Sequence, residues 1–240
     1  MGEPHPSGSG QVAVWVAAGP APGDRSPGLE ERARRHREIR DAARRFGREL
    51  VRAYTSCPPE RQRWDRDERG RPLVVEPGGV HVSLSHAETV VAAAVSRDAP
   101  VGVDVERLRP LPDRDALART ALSASERHAL DALPDELRDA QLLRFWTRKE
   151  AVAKALGTGL ATHLREVVTT AGGDLVSLPA GFGGVGAWSL TDLAVQDEVI
   201  ACVAVQAPGI RVLTRTLGLP AEHGGPFSDG DAGHGHGRDR

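Results

Sequence analysis

The chain has 240 residues, of which 40% are hydrophobic and 27% charged, and this balance predicts a soluble globular protein. Its formal net charge of -2 gives no support to general binding of nucleic acid or of a membrane surface, so any anion site has to be local. The sequence has neither an apolar run of about 20 residues nor a secretory signal. Its cysteines, Cys57 and Cys202, lie in different settings, so we expect a cytoplasmic protein without a disulfide framework.

The first half of the chain is predicted to run strand, helix, hairpin. Residues 1–10 are polar and rich in Gly and Pro, which predicts disorder. The elements predicted after them are a strand at Gln11–Ala18, a helix at Leu29–Tyr54 that could break near Gly47, a turn at Gly70-Arg71-Pro72 and a hairpin at Val80–Ser96.

The second half repeats this order of elements. The elements predicted are a strand at Val101–Val105, short helices at Arg114–Leu122 and Ser125–Leu133, a long helix at Asp139–Leu156, and a hairpin from Gly186–Leu193 and Val199–Gln206. We therefore predict a pseudo-duplicated α+β protein with halves at 11–99 and 100–216. Residues 217–240 are polar and Gly-rich, which predicts a disordered tail. Its two closely spaced histidines could bind a transition metal weakly, but a solvated tail without function is favoured.

The sequence GVDVERLRP places Asp104 and Glu106 two residues apart on the strand after Pro100. Alternation along a strand puts both carboxylates on one face, about 7 Å apart between their Cα atoms, and turns the valines to the core. Two carboxylates that face one way suit a hard cation such as Mg²⁺. For an isolated pair, an exposed strand face with Glu106 bound to Arg107 or Arg109 is the more common arrangement.

The sequence FWTRKEAVAKALGTGL predicts a helix that presents Glu150 and Lys154 on one ridge. Lys149 lies at the border of this ridge, and Gly157 is typical of a helix end. The opposite, core-facing side is formed by Phe145, Val152 and Leu156. The alternative is a surface ion pair between Glu150 and Lys154, which would contribute only about 0.3–0.5 kcal/mol.

A third group of candidate residues lies in the first half. Ser85 and His86 end an apolar strand, where a hydroxyl and an imidazole could bind a phosphate; a nucleophilic Ser–His pair is disfavoured because neighbouring strand residues point to opposite faces. Arg71 lies on a tight turn and suits bidentate phosphate contact. A structural Ser-His dipeptide and a solvated turn arginine are the alternatives.

Together, GVDVERLRP, SLSH and WTRKEAVAKALGTGL resemble the signature blocks of 4′-phosphopantetheinyl transferases, in the same order and at similar spacings. The resemblance covers about Arg40–Gln206, and it includes FGRELVRA and RGRP ahead of SLSH. The length resembles the surfactin-type branch. It implies two similar α+β halves with the active site in the cleft between them.

The resemblance also implies a reaction. With Mg²⁺ bound, a serine of an apo acyl or peptidyl carrier protein attacks coenzyme A, the co-substrate, and adenosine 3′,5′-bisphosphate leaves. The implied roles are metal ligands at Asp104, Glu106 and Glu150; a base at Glu150, directly or through a metal-bound water; pyrophosphate contacts at Lys154 and Lys149; 3′-phosphate contacts at Arg71 and His86; and a pocket residue at Ser85.

The segment before the first long helix is shorter than the resemblance leads us to expect, and that region supplies basic residues to the coenzyme phosphates. Arg40 or Arg44 could take this role, and a solvated basic helix face is the alternative for each. The apolar stretch Leu108–Leu122, with Leu111 and Leu117, is the predicted carrier-protein contact. Fatty-acid, polyketide and nonribosomal-peptide carriers all remain open, and a monomer is expected because one chain supplies both halves.

Two other functions fit the same residues. A Mg²⁺-dependent hydrolase of nucleotides or coenzyme A would need the same carboxylates, with water in place of the carrier serine. A non-catalytic module that binds coenzyme A or a carrier protein is the other, but a pure binder has no need of a complete metal site.

Overall fold

The computed structural model describes residues 10–19, 28–158, 164–196, 198–219 and 227–229. The helices are α1 Leu29–Thr55, α2 Arg114–Ala121, α3 Ala124–Asp131 and α4 Asp135–Leu156. The strands are β1 Gln11–Ala18, β2 Arg63–Arg66, β3 Pro72–Glu76, β4 His81–Ala87, β5 Val90–Ser96, β6 Val101–Arg107, β7 Val168–Thr169, β8 Leu175–Ser177, β9 Ser189–Asp192, β10 Val199–Val205, β11 Arg211–Gly218 and β12 Ser228–Asp229. The mixed composition of helices and mainly antiparallel strands agrees with the predicted α+β class.

The larger sheet has the strand order β12-β11-β1-β5-β4, and α1 packs on it. Strand β11 comes from the end of the chain and pairs in parallel with β1, from Gln11 opposite Arg211 to Ala18 opposite Gly218. The sheet of the first half is therefore completed by residues on the far side of the predicted boundary at residue 99. The element order of two halves is visible, but duplication stays a prediction.

The predicted disordered tail is partly wrong. Leu217 is only 3% exposed, and it lies in the core between α1 and the larger sheet. The ring of Phe227 stands 4.6 Å from that of Phe46, measured between centroids. The rest of the tail, with its histidines, and residues 1–9 of the predicted disordered N-terminus lie outside the described residues.

The smaller sheet has the order β6-β10-β9, and α4 packs against β6 and β10. The valines of β6 are buried in a core shared with β1 and β5, as their alternation predicts. The two sheets meet where β6 passes β4, and the Val103 N–H donates to Ser83 Oγ at 3.0 Å. This junction brings residues of both halves together.

Helix α1 is continuous through Gly47, so the predicted break there is wrong. A Cβ atom at Gly47 would lie 2.5 Å from the Leu84 side chain, which means that the glycine allows α1 to approach β4 closely. The helix ends at Ser56, which adopts the left-handed conformation with φ 62° before two prolines.

Helix α4 begins at Asp135, four residues before the predicted start, because Asp135 and Glu136 follow Pro134 as a favourable acidic first turn. It ends at Gly157 in the left-handed conformation with φ 68°, as predicted. Phe145 is fully buried and packs against α2 and α3, while Val152 packs against the smaller sheet. Within the described residues, no helix is long and apolar enough to cross a membrane.

The contact between α4 and β6 is unusually close at Gly102. A Cβ atom at this position would lie 1.9 Å from the Ala151 carbonyl oxygen. Only glycine therefore lets the helix backbone lie directly on the strand. Gly102 is two residues before Asp104 on the strand, and Ala151 is one residue after Glu150 on the helix. This approach fixes the distance between the two acidic motifs.

Candidate active site

Asp104 lies at the centre of the candidate site, buried on β6 with 6% exposure. Its Oδ1 atom accepts hydrogen bonds from Ser85 Oγ and from Lys154 Nζ, both at 2.7 Å. Its Oδ2 atom is buried without a hydrogen-bond partner. Three predicted site residues, from β4, β6 and α4, thus meet at one carboxylate.

Glu150 lies on α4 beside this carboxylate and is 2% exposed. The pKa of Glu150 is raised to about 8, first by burial and then by the charges of Asp104 and Glu106, while Lys154 acts to lower it. Its Oε1 atom is also buried without a hydrogen-bond partner. Buried carboxylate oxygens without donors are costly unless a cation or a proton balances them.

Glu106 completes the acidic group. Burial raises its pKa, Arg109 lowers it, and the neighbouring Asp104 raises it. The Arg109 guanidinium donates to Glu106 Oε2 at 2.8 Å, so one of the two ion pairs considered from the sequence is present. Arg107 instead donates to the Gly19 carbonyl oxygen at 2.8 Å, on the other half of the chain.

These carboxylates fit a hard cation by chemistry and by their two unsatisfied oxygens, one on Asp104 and one on Glu150. The present side-chain arrangement does not form a finished site: among the described residues, no cluster of three or more His, Cys, Asp or Glu side chains is spaced to hold a metal ion. Lys154 takes part of the neutralising role, since its ammonium group lies on Asp104 and on the Val103 carbonyl oxygen. Its side chain remains 27% exposed and can also reach a ligand.

Lys149 lies outside this group, which corrects its predicted contact with the pyrophosphate. Its ammonium group is 2.7 Å from Glu126 Oε2, and both side chains have zero exposure. It also donates to the carbonyl oxygens of Leu164, at 2.8 Å, and Val167. Burial lowers the pKa of Lys149 and Glu126 raises it. A lysine enclosed in this way has no surface left for a coenzyme.

His86 faces α1 rather than forming a pair with Ser85. Its ring meets the ring of His36 edge-on, with 5.2 Å between centroids. Burial lowers the pKa of His86, and the nearby positive charges of His36, Lys154 and Arg40 lower it further. The structure therefore brings Arg40 to this side of the site, and it adds His36, which sequence reasoning missed although it lies one helical turn before Arg40.

Arg44 is placed differently from Arg40. It lies on the exposed side of α1, where its guanidinium is 3.3 Å from Asp41 Oδ1 and 46% of its side chain is accessible.

Arg71 lies where the β2–β3 turn meets the C-terminal end of α4. Its Nε donates to Asp67 Oδ2 at 3.1 Å, and its Nη1 approaches the Ala155 carbonyl oxygen at 3.5 Å. The neighbouring Arg69 donates to the Gly157 carbonyl oxygen at 2.9 Å. Sequence reasoning missed Asp67, which also accepts backbone bonds that shape the turn.

The predicted carrier-protein contact at Leu108–Leu122 needs correction at one end. Leu122 is 1% exposed and belongs to the core between α2, α3 and α4, and Leu111 and Leu117 pack against that core. Leu108 is 41% exposed.

Comparison with known proteins identifies the family. Residues 100–203 match the model of the 4'-phosphopantetheinyl transferase superfamily. The 4'-phosphopantetheinyl transferase HetI of Nostoc sp. strain PCC 7120 is 33% identical over 177 residues, which cover 72% of this chain and 73% of HetI. The chain belongs to the 4′-phosphopantetheinyl transferase family.

Two further relatives agree. The 4'-phosphopantetheinyl transferase AcpT of Escherichia coli strain K12 is 32% identical over 165 residues, 67% of this transferase and 77% of AcpT. The 4'-phosphopantetheinyl transferase psf-1 of Bacillus pumilus is 32% identical over 117 residues, 49% of each chain. The superfamily match spans Asp104, Glu106, Glu150 and Lys154, so the acidic group lies in the part of the transferase that defines the family.

Proposed function

We propose that this transferase moves the 4′-phosphopantetheine arm of coenzyme A to a serine of an apo acyl or peptidyl carrier protein, with Mg²⁺ bound by Asp104, Glu106 and Glu150. The serine oxygen forms a bond to the pantetheine-side phosphorus of the pyrophosphate. The bond from that phosphorus to the bridging oxygen breaks, and adenosine 3′,5′-bisphosphate leaves. The names of the relatives support the transfer; the metal and its ligands are our inference from the site.

The observation that carries the metal assignment is the pair of buried, unpartnered oxygens on Asp104 and Glu150. Negative charge is concentrated here, since Asp104 and Glu106 raise the pKa of Glu150 and Asp104 also raises the pKa of Glu106. When bound, Mg²⁺ supplies charge neutralisation to the pyrophosphate and holds it in line for attack. A purely structural carboxylate would be satisfied by donors from the protein instead.

The residues of the chain have separate tasks in this proposal. Glu150, a carboxyl whose environment raises its affinity for a proton, accepts the proton of the carrier serine. Lys154 bonds to Asp104 in the structure, and its accessible ammonium group balances the charge of the departing phosphate. Ser85 holds Asp104 Oδ1 and so orients the carboxylate that it faces.

The nucleotide end of coenzyme A is proposed to lie along the junction of α1, β4 and the β2–β3 turn. His86 and Arg40 lie together there, and His36 joins them. Arg71 lies at the end of α4, and part of its side chain is accessible. These cationic and imidazole groups suit the 3′-phosphate. Lys149 is left out of this set because it is buried. Arg44, which is exposed and paired with Asp41, stays a prediction.

One chain supplies both sides of this site, with β4 from the first half and β6 and α4 from the second. This arrangement supports the two-half, surfactin-type branch and a monomeric enzyme.

The test is intact mass spectrometry of apo peptidyl and acyl carrier proteins incubated with the transferase, coenzyme A and Mg²⁺. We expect the mass to rise by one phosphopantetheine group, and the rise to vanish with EDTA or when the carrier serine is replaced by alanine. Consumption of coenzyme A without modified carrier would favour a hydrolase. Binding of coenzyme A without either reaction would favour a binding module.

A further inference from the structure

Among the described residues, the most enclosed charges outside the acidic group are those of Glu126 and Lys149. Both side chains have zero exposure, and Lys149 Nζ lies 2.7 Å from Glu126 Oε2. An ammonium group has three donors, and here each has an acceptor, namely the Glu126 carboxylate and the carbonyl oxygens of Leu164 and Val167. The charge is therefore fully compensated.

Glu126 is bonded on its other sides as well. Its Oε2 accepts the Ser123 N–H at 2.9 Å, which with the reverse bond forms the capping box of α3. Its Oε1 accepts the Thr169 N–H at 2.9 Å. One carboxylate thus ties together the start of α3, the middle of α4 and the chain at 164–169.

Lys149 directly precedes Glu150 in the sequence, but the two side chains have different surroundings. Consecutive residues of an α-helix point about 100° apart, so Lys149 is directed to Glu126 while Glu150 is directed to Asp104. Any rotation of α4 that moved Glu150 away from β6 would also pull Lys149 from its three acceptors. The close approach of Gly102 to Ala151 and Ala155 sets the distance between helix and strand. The bonds of Lys149 to its three acceptors add a second restraint on the rotation of the helix.

Stability alone does not account for these charges. Replacement of a buried ion pair by apolar residues of similar volume is often neutral or stabilising, whereas a pair with fixed bonding geometry can specify one arrangement among several. The enclosed network is suited to such specification, because a shifted helix would leave a buried charge without its partner.

We propose that Lys149 and Glu126 form a positioning pair, which fixes the rotation of α4 so that Glu150 and Lys154 face Asp104, and that Lys149 makes no contact with coenzyme A. This inference rests on the proposed function, since it assigns the pair a role in that same reaction. It replaces the coenzyme contact that the sequence predicts for Lys149.

The experiment compares Lys149→Met combined with Glu126→Gln, which removes both charges and retains the capping box, with Glu126→Gln alone. Arg144→Met, at an exposed position of the same helix, is the control. For each, we would measure the melting temperature, the affinity for coenzyme A with Mg²⁺ by calorimetry, and kcat and KM for arm transfer. We expect kcat to fall at least about tenfold in both variants, and any loss of coenzyme affinity to be about the same in Glu126→Gln, which keeps the Lys149 ammonium group, as in the double variant.

Two results would overturn the proposal. A folded double variant with wild-type kcat would show that the pair is only structural, and a loss of coenzyme affinity in the double variant that Glu126→Gln does not share would restore Lys149 as a ligand contact. If the double variant does not fold, Glu126→Gln alone decides: kcat is expected to fall, and a wild-type kcat would overturn the proposal. Failure of the proposed function is distinguishable, because the wild-type protein itself would then not modify any carrier.

Discussion

The substitution Glu150→Gln separates the electrostatic cost of the site from its chemistry. The site raises the pKa of Glu150 from 4.5 to about 8, with burial as the first cause. Below pH 4.5 both the folded and the unfolded chain hold this proton. Between pH 4.5 and about 8 only the folded chain holds it, so the stability that this group contributes is lost as the pH rises.

The size of the effect follows from the shift. A shift of one pKa unit corresponds to about 1.36 kcal/mol, so a shift of the Glu150 pKa from 4.5 to about 8 corresponds to at most about 5 kcal/mol. Relaxation of the surroundings lowers this, and we expect about 2–5 kcal/mol. Glutamine resembles the protonated carboxyl in shape and cannot ionise, so the variant should escape the loss.

The assay is urea unfolding of wild type and Glu150→Gln at pH 5, 7 and 9 in EDTA. Relative to wild type, the variant should gain stability as the pH rises, by about 2–4 kcal/mol between pH 5 and 9. Glu136→Gln, at an exposed glutamate in the first turn of the same helix, controls for the loss of one negative charge. A difference between wild type and Glu150→Gln that stays constant over this range would refute the electrostatic reasoning.

Addition of Mg²⁺ at pH 9 extends the same experiment. A bound cation would compensate the ionised carboxylates, so wild type should recover stability and Glu150→Gln should recover much less. The variant should also lose arm transfer at every pH. Equal stabilisation of both proteins by Mg²⁺ would place the ion elsewhere.

Three further predictions concern single residues. Asp104→Asn should abolish arm transfer while circular dichroism remains that of a folded protein, and near-normal turnover would exclude Asp104 as a metal ligand. Arg71→Ala should weaken coenzyme A more than 3′-dephospho-coenzyme A in calorimetry, whereas equal weakening would remove Arg71 from the 3′-phosphate. Gly102→Ala should destabilise the protein by several kcal/mol in urea unfolding and lower activity, since its Cβ would meet the Ala151 carbonyl oxygen at 1.9 Å; an unchanged midpoint would contradict the close approach of strand and helix.

Local sequence patterns predicted much of the fold and of the candidate site. Alternation along β6 predicted that Asp104 and Glu106 share a face and that the valines turn to the core, because side-chain direction in a strand depends only on neighbouring residues. Helical periodicity likewise predicted the ridge of Glu150 and Lys154 and the end at Gly157. The order of elements and the family followed from the same short motifs.

Other features depended on contacts between distant parts of the chain. The sequence could not show that Lys149 pairs with Glu126, since the partner lies on another helix and the lysine stands at the border of two faces. In the sequence Gly47 suggests a helix break, whereas in the structure it makes room for the Leu84 side chain.

The sequence by itself determined which residues could carry the chemistry, because strand and helix periodicities are local. Only the tertiary structure decided which of them meet: it joined Ser85, Asp104 and Lys154 at one carboxylate, enclosed Lys149 elsewhere, and brought β11 back beside β1. The physical reason is that burial and pairing of charges depend on packing between elements far apart in the chain, which no local pattern specifies.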